Sequence, residues 1–172
     1  MKHLTINKSC RICKGTKFTK VFSFGPQPPA NAFLTKEKLK EHEQLYPLDV
    51  YFCHTCALLQ LRDIVDPEIL FGNYVYVSST SPVFIKHFEE YATQVIDILK
   101  LPKKSLVIDI GSNDGILLHP FKSKGMNVLG IEPARDIAES AKKSGIETIA
   151  EFFTTEVAEE IPRSRPVVVR QE

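Results

Sequence analysis

Hydrophobic and polar positions along the chain fall into two regimes, short alternating runs up to about residue 60 and longer apolar faces beyond about residue 81. In the first regime, Lys17 to Phe24 alternates well enough for a strand, whereas Gly25-Pro26-Gln27-Pro28-Pro29 should be a loop because proline cannot donate to a ladder. Thr35 to Gln44 is highly charged and reads as a solvated helix. Tyr46 to Phe52 reads as a second strand and Leu58 to Leu61 as a third. Between the regimes, Phe71 to Thr80 is uncharged, aromatic and hydroxyl-rich, and follows neither period. That composition suits a ligand-facing loop, but composition alone favours packing aromatics at Tyr74 and Tyr76 with satisfied hydroxyls.

In the second regime Ser81 is placed to cap a helix with Pro82 in its first turn, and Phe84, Phe88, Tyr91, Val95, Ile98 and Leu99 share one core-facing stripe. Leu106, Val107, Ile108 and Ile110 then read as a fully buried parallel strand, and Gly111 with Gly115 bracket a turn into a helix from about Gly115 to Ser123. Strand Asn127 to Ile131, helix Ala134 to Ser144, strand Glu147 to Ile149 and helix Thr154 to Ile161 follow, with Val167 to Val169 a further strand-like run. The alternation predicts an α/β fold with a parallel sheet and right-handed crossovers.

Cysteine usage changes the picture of the amino-terminal part. All four cysteines fall into two C-x-x-C pairs, Cys10 with Cys13 and Cys53 with Cys56, and such knuckles present two thiolates each to one tetrahedral ion. Structural Zn2+ substituting for a core is the expectation; a redox dithiol or four unrelated buried cysteines are the alternatives. His54, inside the second knuckle, is expected exposed or behind the thiolates rather than on the metal. The division that results is a zinc-binding, β-rich module at 1–70, a linker loop and packing helix at 71–100, and the first half of a Rossmann-like domain at 101–172. Charge excludes rather than assigns: 22 basic residues against 21 acidic give a net charge of +1, with no electrostatic case for nucleic acid or a membrane surface. No apolar run approaches a membrane span and Met1 to Asn7 lacks a signal-like core, so a cytoplasmic protein is expected.

The turn after Ile110 decides between nucleotide ligands. A nicotinamide or flavin site needs G-x-G-x-x-G, but Asn113 stands where the middle glycine belongs, and a P-loop ending is absent. What stands is Asp109-x-Gly111-x-x-x-Gly115, with Glu132 about 20 residues on, where a ribose-binding acid is placed after the second strand. A helix-capping Asp114 and an exposed Glu132 would be the plain structural reading. The arrangement resembles motif I of class I S-adenosylmethionine-dependent methyltransferases. That resemblance implies a cofactor site of Asp109, Gly111, Ser112, Asn113, Gly115 and Glu132, with glycine backbone against the methionine part and Glu132 accepting the ribose hydroxyls.

Taken together, the four cysteines, Pro28 to Leu34, Tyr46-Pro47-Leu48, Tyr74-x-Tyr76-x-Ser78-Ser79 and Ile108 to Gly115 resemble the sugar C-methyltransferases, which act on nucleotide-linked keto-deoxyhexoses of deoxysugar biosynthesis. Phe152, in Glu151-Phe152-Phe153, is similar to the family's segment against the adenine. The resemblance implies proton abstraction alpha to a sugar ketone and attack of the enolate on the cofactor methyl, with Tyr76 as a substrate-loop residue. It spans about Cys10 to Ile161, and the family's remaining catalytic groups lie further on, so the chain reads as the truncated amino-terminal portion of such an enzyme, weakly active or inactive, with an open sheet edge that favours self-association. A non-catalytic zinc-binding interaction module with a vestigial nucleotide fold is the second reading. A nicotinamide oxidoreductase is the third, fitting Glu132 but not Asn113.

Overall fold

In the computed structural model the described residues are 3–72, 74–161 and 167–170, and the chain divides into two units, Met1–Phe71 and Gly72–Glu172. The alternating runs of the first unit form two small antiparallel sheets. Strands β1 (Leu4–Ile6) and β5 (Asp63–Val65) pair with each other, and β2 (Phe18–Gln27), β3 (Tyr46–Cys53) and β4 (Leu59–Leu61) form the other sheet in that order. A short helix α1 (Pro67–Phe71) closes the unit. Its buried described residues are Cys10, Tyr46, Asp49, Cys53 and Gln60, with no large aliphatic side chain among them. Asp49 is held below the usual carboxylate range by Lys20, at 2.6 Å, and by Ser23. The Arg62 guanidinium stacks over Phe18 and Tyr51 at 4.5 and 5.1 Å.

Two expectations fail in this unit. Pro26 does not end the strand: β2 continues to Gln27, and proline is tolerated because β2 lies at the sheet edge and slips register between Ser23 and Pro26. The charged run 35–44 holds only a single 3-10 turn, Lys38–Lys40, not a helix. Leu39 is 66% exposed, so the segment has no apolar face to bury, and a helix of that length without packing is marginal in water.

In the second unit, helix α2 (Pro82–Leu99) precedes β6 (Leu106–Ile110), α3 (Leu118–Ser123), β7 (Asn127–Ile131), α4 (Arg135–Lys143), β8 (Thr148–Ile149), α5 (Thr155–Glu160) and β9 (Val167–Arg170). The sheet is wholly parallel in the order β8-β7-β6-β9. Side-chain alternation on β6 splits the core in two. Val107 faces a cluster with Ala92, Leu117, Leu118, Phe121, Met126, Ala141 and Ile146, while Ile108 faces one with Leu129, Ile131, Val157 and Ile161. Helices therefore cover both faces, which is why β6 reads as a continuous apolar run.

The strand-like run at Val167 is a true strand and occupies the side of β6 away from β7, so β6 is not an edge. Its placement makes the order that of strands 3-2-1-4 of a doubly wound sheet, with the chain reversing direction of growth at β6. Helix α2 differs from its predicted stripe. Phe88, Tyr91, Val95 and Ile96 pack on the core around Ala92, but Phe84, Ile98 and Leu99 are 43, 75 and 55% exposed. An 18-residue helix drifts across a strict repeat, so both ends of the stripe rotate away from the sheet. Ser81 occupies the N-cap position without a side-chain capping bond.

These burials predict opposite outcomes for two apolar truncations. Phe121→Ala, at a fully buried position, should cost the second unit about 3–5 kcal/mol in urea unfolding, whereas Ile98→Ala should stay within about 0.5 kcal/mol of the parent.

Candidate functional site

The candidate site is built on the turn that leaves β6. Gly111, Asn113 and Gly115 all adopt left-handed backbone, with φ of 77°, 49° and 84°. Alternating handedness blocks helix growth through the turn, so α3 begins at Leu118 rather than at Gly115 as predicted. A Cβ at Gly115 would lie 2.9 Å from Ile146, while nothing lies within 4 Å of the corresponding position at Gly111. Gly111 thus presents bare backbone to open space at the carboxyl end of β6, between β7 and β9, where doubly wound sheets take their ligands. The Gly111 and Ser112 N–H groups both donate to the Ile131 carbonyl, fixing the turn to the end of β7.

Carboxylates and one amide organise what surrounds the turn. Asp109 is fully buried on β6. Glu132, 6% exposed, accepts the Asn113 N–H at 2.9 Å on one oxygen and the Ala134 N–H at 2.8 Å on the other. It is neither exposed nor idle, and each oxygen retains a lone pair for a further donor. Asp114 does not cap its own helix: one of its oxygens accepts the Ser79 N–H at 3.1 Å. The Asn113 side chain accepts the Ser78 and Asp114 N–H groups at 3.0 and 2.9 Å and donates to the Tyr76 carbonyl at 2.9 Å. Ser112 is fully buried, and its Oγ would lie 2.4 Å from any Cβ on Gly130, so Gly130 is what lets the turn pack on β7.

The sequence-predicted residues of this region are therefore brought together, with differences in degree. Tyr76 enters through its backbone, and its side chain is 45% exposed with the ring edge-on to Tyr74 at 6.5 Å. Phe152 is half-buried in the segment after β8, at the same end of the sheet. A nucleoside cofactor fits this arrangement: exposed glycine backbone at Gly111 beside an already oriented Glu132 carboxylate. A separate cavity of about 900 Å³ lies among α2, α3 and α4, touching Ser79 and Asp114 but not Gly111.

The four cysteines converge in the first unit. Their sulfurs lie within 4.8 Å of one another, with Cys10 to Cys56 and Cys13 to Cys53 both at 3.6 Å. Tetrahedral Zn–S bonds of 2.3 Å put sulfurs about 3.8 Å apart, so the cluster has the size of a zinc site. The two knuckles share one backbone: Lys14 and Ala57, each directly after the second cysteine, are left-handed, with φ of 62° and 59°. Each donates its N–H back to the first cysteine's carbonyl, at 3.1 and 2.8 Å. Gly15 allows the knuckles to meet, since a Cβ there would lie 2.4 Å from Thr55 Oγ1. His54 bonds Thr19 at 2.8 Å and is not among the four ligands.

Electrostatics makes a dication fitting. Burial opposes the Cys10 thiolate, yet the Cys13 N–H, the Gln60 amide and the Ile12 N–H hold its pKa down to about 6. At Cys56 the Leu58 N–H favours the thiolate but is outweighed by Cys13, by burial and by the other sulfurs, pushing it up to about 12. One negative sulfur thus resists the next, and a bound cation removes that conflict. Gln60 is the residue sequence reasoning missed. Its amide donates to Cys10 Sγ at 3.1 Å and accepts the Arg11 N–H at 3.2 Å. Its signal was a polar residue between Leu59 and Leu61 on an alternating strand.

Sequence comparison finds relatives across both parts of the chain. Residues 10–71 match a family model described as "putative zinc binding domain". The chain is 40% identical over 152 residues to the C-methyltransferase NovU of Streptomyces niveus, an alignment covering 88% of this chain and 36% of that protein. The chain thus spans about a third of this relative's length. The resemblance to C-methyltransferases with an amino-terminal four-cysteine zinc domain rests on these two matches. Among solved structures, the plantazolicin methyltransferase BamL aligns with 52% of this chain and 34% of its own at 19% identity and a TM-score of 0.38. The magnesium protoporphyrin IX methyltransferase ChlM of Synechocystis aligns with 51% and 35% at 20% identity and a TM-score of 0.31. No helix among the described residues is long and apolar enough to cross a membrane.

The cluster predicts one zinc per chain by elemental analysis, and chelation should unfold the first unit, read as loss of protease resistance in residues 3–71. Gln60→Leu should keep the fold but weaken zinc 10- to 100-fold in competition with a chromophoric chelator.

Proposed function

We propose that this chain, related to a C-methyltransferase and carrying a zinc-binding domain, is a zinc-stabilised, S-adenosylmethionine-binding portion of a C-methyltransferase acting on a nucleotide-linked keto sugar. The single observation that carries the reading is the bare Gly111 backbone beside the oriented Glu132 carboxylate at the switch point of the sheet. When bound, S-adenosylmethionine supplies an electrophilic methyl on sulfur. Gly111 to Gly115 would accommodate its methionine part, Asp109 would fix the turn, Glu132 would accept ribose hydroxyls and Phe152 would lie against the adenine. Zinc would serve structure, since Cys10, Cys13, Cys53 and Cys56 would hold it with four thiolates and leave no position for substrate.

For the substrate, the chain offers the Tyr74 to Ser79 segment, with Tyr76 exposed beside the turn. The hydroxyls of Tyr76 and of Ser79 are hydrogen-bond donors, so this segment suits binding and donation to a developing enolate. On this reading the 172-residue chain turns over weakly or not at all by itself. A non-catalytic zinc-binding interaction module is the competing reading, favoured by the exposed Phe22, Phe24 and Phe33 of the first unit.

Calorimetry on the folded, zinc-loaded chain distinguishes them. Saturable binding of S-adenosylhomocysteine is expected, weakened at least about tenfold by Gly111→Ala, which places a side chain on left-handed backbone in the open space. Absence of heat in a folded sample supports the interaction module, and saturable NADH binding would instead support an oxidoreductase. Transfer of labelled methyl to a nucleotide keto sugar would contradict the expected inactivity of this chain.

A further inference from the structure

The residue that broke the nicotinamide pattern has a use of its own. Asn113 satisfies three demands at one position: left-handed backbone, two acceptor bonds and one donor bond. Asparagine tolerates left-handed φ better than other residues with a Cβ, and its amide alone supplies both an acceptor oxygen and a donor nitrogen at that reach. The orientation of the amide is fixed by its partners, because the oxygen faces two N–H groups and the nitrogen faces a carbonyl. Glycine would keep the backbone and lose all three bonds. Aspartate would keep the acceptor and set an oxygen against the Tyr76 carbonyl.

Those bonds join two things that lie far apart in sequence, one before and one after the turn. On one side are Tyr76, Ser78 and Ser79, the last held by Asp114. On the other is Glu132, whose carboxylate receives the Asn113 backbone N–H. We propose that Asn113 is a positioning residue that couples occupancy of the glycine turn to the order of Tyr76–Ser79, so that a nucleoside ligand on Glu132 and a closed substrate segment stabilise each other. The proposal rests on the nucleoside reading of the turn, and by linkage the coupling acts equally in both directions. Ligand that orders Glu132 and the turn fixes the Asn113 backbone, and the fixed amide holds Ser78 and Tyr76 in place.

The test is amide hydrogen exchange at Ser78 and Ser79 in the zinc-loaded 172-residue chain, with and without S-adenosylhomocysteine, beside calorimetric affinity. In the parent, ligand should slow both amides by about tenfold, the worth of one net hydrogen bond. Asn113→Gly should speed exchange in the free chain by a similar factor, abolish its response to ligand, and lower affinity by the factor of protection lost. Asp114→Asn should loosen Ser79 more than Ser78. If Asn113→Gly does not fold, Asn113→Ala, which also removes all three side-chain bonds, carries the same expectation. Binding with exchange unchanged within twofold in these variants, or with an unaltered ligand response, overturns the role of Asn113 alone. A parent that binds no S-adenosylhomocysteine, yet loosens on Asn113→Gly, overturns the nucleoside reading and the coupling while leaving the clamp.

Discussion

The second unit depends on the left-handed turn that ends β6. Three residues within five, Gly111, Asn113 and Gly115, leave the ordinary regions of backbone space, and each departure is held by something specific. Gly111 and Ser112 hang from the Ile131 carbonyl, Asn113 from Glu132, and Gly115 against Ile146. The strands on either side have to be in place for these bonds to exist. In this way the parallel pairing of β6 with β7, the burial of Ile146 and the shape of the ligand-facing backbone form one cooperative arrangement, and a local conformational cost persists because the surrounding sheet over-determines it.

The first unit is organised by a different force. With Tyr46 the one large apolar side chain buried among its described residues besides two cysteines, apolar burial is too small to hold two sheets together. Two knuckles of identical backbone bring four sulfurs to metal-sized separation, and zinc takes the place of the missing core. The thiol titration follows from that compactness, since donors that favour one thiolate at Cys10 leave Cys56 disfavoured by its neighbours. Gln60 and Gly15 support this arrangement from behind, one by an N–H to sulfur and the other by having no side chain.

Features that depend on periodicity or on ligand pairing were legible in the sequence: the cysteine pairs, β6, β7, α4 and the spacing of Glu132. Features that depend on what a segment meets in space were not. Nothing in the charged run 35–44 says that no surface will receive its Leu39. Pro26 looks like a stop until β2 is known to be an edge, and Ile98 looks buried until the pitch of α2 carries it past the sheet. Asn113 was visible as a departure from a glycine pattern and, through the resemblance, as part of a cofactor turn, but not as a clamp. Its purpose lies in carbonyl and N–H groups of residues 76 to 79, whose composition shows no period at all.

The four-sulfur cluster is also a cross-link, and the chain it closes holds β2 and β3 with only one 3-10 turn in the connection between them. Cys13 and Cys53 lie 40 positions apart, and closing a loop of that length costs an otherwise free chain roughly 3 kcal/mol of entropy. That cost grows only logarithmically: doubling the loop would add about 0.6 kcal/mol. The knuckles therefore sense the connection between β2 and β3 chiefly through its ends. Its length and sequence around residues 35–44 are nearly free to drift, and an affinity tag, a fluorophore or a longer insert could be carried there at little thermodynamic cost.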